Sequence, residues 1–311
     1  MQVVIVGRFP ENAKRRIMSC FPHDWKIHIL PPEETGRCLE DADVVIPEHI
    51  RVDDAFLDRA PKLLLVQTGA GFDNVDIDAC TRRGIRVCSA AGINAAAVAE
   101  HVMALIFCWY KNIHVLDRTM KAGGGEWDLD YTGAELSGKT IGILGLGAIG
   151  RRVAKYSGAF DMRVLGYSRR PAALPGVEPA ELDSLYAQSD IITLHVPLND
   201  STRHMIGRDA FAKMKSTALL VNTARGALVD ENQLIEALKQ RRIGGACLDV
   251  YEDEPLARSS PLRDLPNVIL TPHTAGLPDG VRFHEKRYAF FAGNISKVLH
   301  GERPENALNA F

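Results

Sequence analysis

Three glycines, in Gly145-Leu-Gly147-Ala-Ile-Gly150, have the spacing of a loop that binds a pyrophosphate. A β-branched apolar segment of strand length precedes the loop at 139–144, and residues 151–160 carry apolar side chains at helical spacing. Where a strand turns sharply into a helix, backbone N–H groups and the positive helix end can meet an anion. The sequence therefore predicts a dinucleotide site here, although a glycine-rich packing turn is an alternative. The predicted contacts are Gly145, Gly147, Ala148, Ile149 and Gly150.

The next predicted strand ends in Ser168-Arg169-Arg170. A site for NAD usually has Asp or Glu near this point, because a carboxylate accepts a hydrogen bond from the ribose 2′-hydroxyl. This chain has a hydroxyl and two guanidinium groups instead, and arginine binds a 2′-phosphate through paired donors. The pattern favours NADP(H), with NAD(H) possible. A solvated basic loop before Pro171 is the alternative.

Three later strands end in side chains that can bind anions or move protons. Arg225 follows a strand that ends at Asn222, Glu254 follows the next strand, and His273 follows the last one. In open α/β sheets, ligands lie outside the carboxyl ends of the strands, so these groups are predicted to lie beside the nicotinamide. Singly, the alternatives are a surface ion pair, a solvated loop charge and a core histidine. Their coincidence at three successive strand ends favours a catalytic site.

The elements that must position these residues alternate between strands and helices, which is typical of a parallel α/β sheet. A long helix is predicted at about 95–120 and a final one at about 280–300. The six strands from the glycine loop onward suit two mononucleotide-binding halves. In the first part of the chain, strands are predicted at Val3–Val6, Ile27–Leu30, Val44–Ile46, Leu63–Gln67 and Arg86–Ser89. In the second part they are predicted at Thr140–Leu144, Arg163–Tyr167, Ile191–His195, Leu219–Asn222, Ala246–Val250 and Val268–Leu270.

The predicted fold class is α/β with two doubly wound parallel-sheet domains that share a cleft. A length of 311 residues favours two domains. The final helix follows the last predicted strand of the cofactor domain and connects to no further strand there. We therefore expect this helix to pack in the first domain. A Rossmann cofactor domain at 94–280 is thus inserted in a flavodoxin-like substrate domain formed by 1–93 and 281–311.

Composition excludes several classes of protein. Hydrophobic residues at 46% and charged residues at 24% are ordinary globular values. A net charge of −2 argues against a nucleic-acid partner, and no apolar run reaches the roughly 18–20 residues of a membrane span. The six cysteines have no zinc spacing, so no metal site is predicted. Reduced thiols and the lack of a signal sequence fit a cytoplasmic protein.

The chain resembles the D-isomer-specific 2-hydroxyacid dehydrogenase family over essentially its full length. The motifs that carry the resemblance flank the glycine loop on both sides and are numerous, ordered and correctly spaced. They are Thr68-Gly-Ala-Gly-Phe-Asp-Asn-Val-Asp76, Gly84-Ile-Arg-Val87, Asn94-Ala-Ala-Ala-Val-Ala-Glu-His101, Glu135-Leu-Ser-Gly-Lys139, Leu194-His-Val-Pro-Leu198, Val221-Asn-Thr-Ala-Arg-Gly226, Leu248-Asp-Val250, Glu254-Pro255 and Thr271-Pro-His273.

The resemblance implies a role for each of these strand-end residues. Arg225 would hold the substrate carboxylate, and His273 would protonate the carbonyl oxygen as hydride arrives. Glu254 would orient the imidazole and favour its charged form. Backbone N–H groups of Ala70 and Gly71 would also bind the carboxylate. The residues expected to contact the cofactor in addition are His195, Val196, Pro197, Thr202, Thr223, Ala224, Asp249, His273 and Ala275.

Departures from the family pattern narrow the range of expected substrates. Ala70 stands where phosphite-oxidising relatives have lysine, and Glu254 stands where formate dehydrogenases have glutamine, which disfavours both activities. The leading hypothesis is an NADPH-dependent reductase of glyoxylate or hydroxypyruvate, and a homodimer is expected from the long apolar helix. D-3-phosphoglycerate and D-lactate dehydrogenases are alternatives. A cofactor-sensing corepressor is the alternative from another class.

Overall fold

The computed structural model describes residues 1–48, 50–125, 133–169, 173–277 and 285–310, apart from the side chain of Arg37. The chain divides into two compact units. Unit 1 contains Met1–Asn94 and Leu277–Phe311, and unit 2 contains Ala95–Gly276. The predicted boundary between 280 and 281 and the predicted start of the last helix lie outside the described residues.

Unit 1 is built on a parallel sheet of five strands in the order β2-β1-β3-β4-β5, which is the flavodoxin-like order. The strands are β1 (Gln2–Val6), β2 (Lys26–Leu30), β3 (Val44–Pro47), β4 (Leu65–Gln67) and β5 (Arg86–Cys88). The helices are α1 (Glu11–Met18), α2 (Gly36–Glu40), α3 (Asp54–Leu57), α4 (Ile77–Arg82) and α11 (Glu285–Leu299).

Both faces of this sheet are covered, which explains why its strands are continuous apolar runs. Successive side chains of a strand point to opposite faces. Val3 and Ile5 therefore pack in a core with α1 and α11, while Val4 and Val6 pack in a second core with α2, α3 and α4. The final helix is thus part of the core of unit 1.

Unit 2 is built on a parallel sheet of seven strands in the order β12-β11-β10-β9-β6-β7-β8. The strands are β6 (Thr140–Leu144), β7 (Arg163–Tyr167), β8 (Glu178–Pro179), β9 (Ile191–Leu194), β10 (Leu219–Asn222), β11 (Gly245–Leu248) and β12 (Val268–Leu270). The helices are α5 (Ala95–Tyr110), α6 (Ile113–Lys121), α7 (Ala148–Gly158), α8 (Leu182–Gln188), α9 (Arg208–Lys213) and α10 (Glu231–Lys239). Counted from the glycine loop, the order is that of a dinucleotide-binding sheet with one added strand.

Two sequence predictions for unit 2 were wrong. The sheet has seven strands and not six, because the short strand β8 pairs with β7 at the sheet edge. The single helix predicted at 95–120 is two helices, since Asn112 adopts a left-handed conformation with φ 49°. Asparagine tolerates this conformation better than most residues, and its carbonyl accepts the first hydrogen bonds of α6. Among the described helices, none is long and apolar enough to cross a membrane.

Candidate active site

The glycine loop between β6 and α7 is shaped by two close backbone contacts. Gly145 has φ 100°, and a Cβ there would lie 2.5 Å from the carbonyl oxygen of His195. A Cβ on Gly150 would lie 2.0 Å from the carbonyl oxygen of Gly145. Only glycine fits at either position. A Cβ on Gly147 would meet no described atom within 4 Å, so this residue borders open space.

The loop lies at the point where the strand order reverses. The Gly145 amide donates to the carbonyl of Tyr167 at the end of β7 (2.9 Å), and the His195 amide donates to the carbonyl of Leu144 (2.7 Å). Strands β7 and β9 flank β6 and continue in opposite directions through the sheet, which opens a crevice at this edge. Gly147 and Ala148 are exposed at the N-terminus of α7. This geometry fits a dinucleotide pyrophosphate.

The end of β7 lies beside this loop and carries the predicted 2′-phosphate contacts. Ser168 is half-buried and Arg169 is exposed, while Arg170 lies outside the described residues. A hydroxyl and an exposed guanidinium stand where a carboxylate would contact the ribose of NAD. The donors described here are therefore compatible with a phosphate.

Two buried polar atoms at the ends of β9 and β10 have no hydrogen-bond partner among the described residues. They are Nδ1 of His195 and Oγ1 of Thr223, at neighbouring strands of the sheet. Burial lowers the pKa of His195 to about 3, so its imidazole is neutral. Its Nε2 lies 3.0 Å from Oγ1 of Thr193. Buried polar atoms are normally paired, so these two fit a bound polar ligand such as a dinucleotide.

The segment after β9 is held by Thr202. Its hydroxyl donates to the carbonyl of Pro197 (2.7 Å) and accepts from the amide of Asn199 (2.9 Å). Thr202 therefore fixes the turn that follows Val196 and Pro197. A contact between Thr202 and the cofactor stays a prediction.

Arg225 stands in a turn that the buried side chain of Asn222 closes. The Asn222 amide donates to the carbonyl of Arg225 (2.8 Å) and accepts from the amide of Ala224 (3.1 Å). A Cβ on Gly226 would lie 1.8 Å from the carbonyl oxygen of Tyr251, so glycine is required there. Arg225 is half-buried, and its Nη1 donates to the carbonyl of Ala224 (2.7 Å). The turn thus presents a guanidinium at the carboxyl end of β10.

Glu254 and His273 form a close pair in unit 2. Nδ1 of His273 lies 2.6 Å from Oε2 of Glu254, and Oε1 accepts from the amide of Tyr251 (3.2 Å). The carboxylate is fixed by its own loop and in turn fixes the imidazole. Nε2 is then the ring nitrogen that Glu254 does not contact, and proton transfer through it stays a prediction.

Asp249 holds the loop that carries His273. Its carboxylate is fully buried and accepts from the amides of Thr274 (2.9 Å) and Ala275 (2.8 Å). The amide of His273 donates to the Asp249 carbonyl (2.8 Å), and His273 itself is left-handed with φ 54°. Such a conformation costs about 1–2 kcal/mol and needs support from its surroundings. The contact of Asp249 with the nicotinamide stays a prediction beside this structural role.

Thr271 and His101 extend this network and were missed as site residues. The Thr271 hydroxyl donates to Oδ1 of Asp249 (2.6 Å), and Nε2 of His101 lies 3.2 Å from the same hydroxyl. His101 belongs to α5, so the network ties that helix to the His273 loop. Both residues lie in motifs that carry the family resemblance, and His101 also stands beside Glu100 inside an otherwise apolar helix.

Ala70 and Gly71 belong to unit 1, in the loop that follows β4. The amide of Ala90 donates to the carbonyl of Gly69 (2.9 Å), and the amide of Thr68 donates to the carbonyl of Cys88 (2.8 Å). These bonds tie the loop to the residues at the end of β5. Ala70 and Gly71 are half-buried at the carboxyl edge of their sheet. Their contact with a substrate carboxylate stays a prediction.

Residues 103–275 match the family model described as D-isomer specific 2-hydroxyacid dehydrogenase, NAD binding domain. A glyoxylate reductase of Thermofilum pendens is 39% identical over 323 residues, which cover 99% of this chain and 94% of that protein. A D-3-phosphoglycerate dehydrogenase of Methanocaldococcus jannaschii is 41% identical over 291 residues. That match covers 90% of this chain but spans only 54% of the longer relative.

A solved structure of an acyclic imino acid reductase in complex with NADPH and D-Arg has the same fold. It is 30% identical to this chain, with a TM-score of 0.87 over 99% of this chain and 100% of that one. The family model is named for NAD, whereas this structure holds NADPH. The comparisons therefore support an NAD(P)-binding domain of either preference.

Proposed function

The chain belongs to the D-isomer specific 2-hydroxyacid dehydrogenase family, and we propose that it reduces glyoxylate or hydroxypyruvate to the corresponding 2-hydroxyacid with NADPH, as the D isomer where C2 becomes chiral. The 2.6 Å pair of His273 and Glu254 carries this proposal, because it supplies an oriented proton donor in the unit that has the glycine loop. When bound, NADPH supplies the hydride that reaches C2 of the oxoacid.

The residues of this chain bind the substrate and deliver the proton. Arg225 binds the carboxylate through its guanidinium, and the amides of Ala70 and Gly71 donate to the same carboxylate. His273 gives the proton on Nε2 to the carbonyl oxygen as C2 accepts hydride, so the alcohol forms without a free alkoxide. Glu254 holds the ring of His273 in place for this transfer.

We further propose that NADPH binds more tightly than NADH. Ser168 and Arg169 support this preference, because neither repels a 2′-phosphate and Arg169 can pair with it. Arg170 carries the same prediction from the sequence. Gly147, Ala148 and Ile149 would face the pyrophosphate at the start of α7. NADPH is usually kept reduced in cells, which favours reduction over oxidation.

We also propose a homodimer, with a revised interface. Much of the apolar surface of α5 is buried within unit 2, where Val102 and Ile106 pack in the core. Helix α6 instead exposes Ile113, Val115 and Met120. Exposed apolar side chains on one short helix suit an isologous contact with a second copy.

A substrate panel tests the proposed reaction. Consumption of NADPH should be fastest with glyoxylate or hydroxypyruvate. Faster oxidation of D-3-phosphoglycerate would favour the alternative suggested by the Methanocaldococcus jannaschii relative. Tight binding of NADPH without turnover of any 2-oxoacid would instead identify a cofactor-sensing binding protein.

A further inference from the structure

A largely buried ion pair lies in unit 1, apart from the residues discussed so far. Nη2 of Arg287, at the start of α11, lies 2.8 Å from Oε1 of Glu48, which follows β3. The exposed fractions of the two side chains are 15% and 12%. The Tyr288 hydroxyl lies 3.0 Å from the same Nη2. Burial of two charges is costly, so stability alone is a weak reason for such a pair.

Both members of the pair have hydrogen-bonding atoms without a partner among the described residues. Within the described ranges, the hydrogen bonds of Arg287 all use Nη2, and those of the Glu48 carboxylate all use Oε1. Nε of Arg287 is buried and unpaired among these residues. The pair therefore has a donor, Nη1 of Arg287, and an acceptor, Oε2 of Glu48, that a ligand could satisfy.

These atoms lie beside the loop that holds Ala70 and Gly71. A Cβ on Gly69 would lie 3.8 Å from Nη1 of Arg287 and would meet no other described atom within 4 Å. Glu48 follows β3, which is the neighbour of β4 in the sheet. The carboxyl ends of parallel strands meet at one edge, so the pair and the loop share the same edge of unit 1.

The charges of the pair select the kind of group that fits. Glu48 already balances the charge of Arg287 and would oppose a second anion. A hydroxyl group can accept from Arg287 and donate to Glu48 at the same time. We infer that Arg287 and Glu48 recognise a hydroxyl on the carbon next to the 2-oxo group. The preferred substrate class is then the 3-hydroxy-2-oxoacids, of which hydroxypyruvate is the smallest. This inference rests on the proposed function.

The KM values for hydroxypyruvate and glyoxylate, measured at saturating NADPH, test this inference. Arg287→Met should raise KM for hydroxypyruvate roughly tenfold or more, because the substrate hydroxyl loses its hydrogen bond from a charged donor. KM for glyoxylate, which has no C3, should stay within about twofold. Tyr288→Phe is the matched control, since it removes a hydroxyl that touches the pair but retains Nη1 and Oε2. It should leave the ratio of the two KM values unchanged.

A second variant tests the role of the charge on Glu48, and it keeps the inference testable if Arg287→Met fails to fold. Glu48→Gln leaves the charge of Arg287 unbalanced, so KM for oxaloacetate, which has a carboxylate at C4, should fall relative to KM for hydroxypyruvate. An equal rise of KM for all substrates in both variants, or no change, would overturn the inference. Wild-type protein that turns over no 2-oxoacid would defeat the proposed function, and this inference with it. An active wild type with unaltered KM ratios in the variants would defeat the inference alone.

Discussion

Nδ1 of His273 lies 2.6 Å from Oε2 of Glu254, and the backbone of His273 is left-handed with φ 54°. The carboxylate of Asp249 holds the same loop through two backbone amides. Two acids therefore act on one histidine in different ways. Glu254 contacts the imidazole, and Asp249 fixes the backbone.

Glu254→Gln should lower kcat/KM for reduction roughly tenfold or more, with NADPH binding nearly intact. The carboxylate lies 2.6 Å from Nδ1 of His273 and orients the ring, whereas the amide keeps the shape but can present its NH2 group to Nδ1. Steady-state kinetics at saturating NADPH measure this. A variant that retains the parent kcat/KM would remove Glu254 from this role.

Arg169→Ala should weaken NADPH binding by about tenfold or more and leave NADH binding nearly unchanged. Charge-assisted hydrogen bonds to a phosphate are worth roughly 1.5–3 kcal/mol each, and NADH has no 2′-phosphate. Dissociation constants from fluorescence titration check this. Arg152→Ala, on an exposed side chain of α7, is a control for general loss of positive charge. Equal affinities for NADH and NADPH in the parent protein would contradict the proposed preference.

The neutral His195 should make the protein less stable in acid. Its pKa is lowered to about 3 by burial, below the unfolded value of about 6.5. The unfolded state therefore binds more protons as pH falls from 6.5 toward 3, and stability is lost in that window. Between pH 7 and pH 5, the free energy of unfolding of both proteins should fall. The fall should be roughly 1–2 kcal/mol smaller in His195→Gln than in the parent. Urea titrations measure this, with the exposed His23→Gln as control.

The continuous apolar strands were predictable because parallel strands buried on both faces need apolar residues at every position. Each of the eleven predicted strands overlaps an observed one. The missed strand β8 is two exposed residues at a sheet edge, which leaves no apolar run to detect. The break between α5 and α6 at Asn112 could not be predicted, because apolar residues occur in the sequence on both sides of it.

The strand ends were also predictable, since parallel strands end at one edge and bring Arg225, Glu254 and His273 into the same unit. The contacts between loops were not. His101 lies 170 residues before Thr271, and Glu48 lies 239 residues before Arg287. Such pairs follow from the packing of helices onto a sheet and leave no local spacing in the sequence.

Met120→Glu should convert the proposed dimer to a monomer. Met120 is 60% exposed on α6, and a charge placed within the proposed apolar contact would be desolvated on association. Light scattering should give about twice 34.2 kDa for the parent and 34.2 kDa for the variant. Leu299→Glu, on an exposed apolar side chain of unit 1, should leave the dimer intact. A parent mass of 34.2 kDa would contradict the dimer.

The most direct test of the proposed mechanism is the rate of NADPH oxidation by hydroxypyruvate in the His273→Ala variant, measured together with NADPH affinity. We expect a loss of kcat across the whole pH range, roughly 10²–10⁴-fold for a general acid, with NADPH binding nearly intact. A His273→Ala variant that retains the parent kcat would contradict the assignment of His273 as the proton donor.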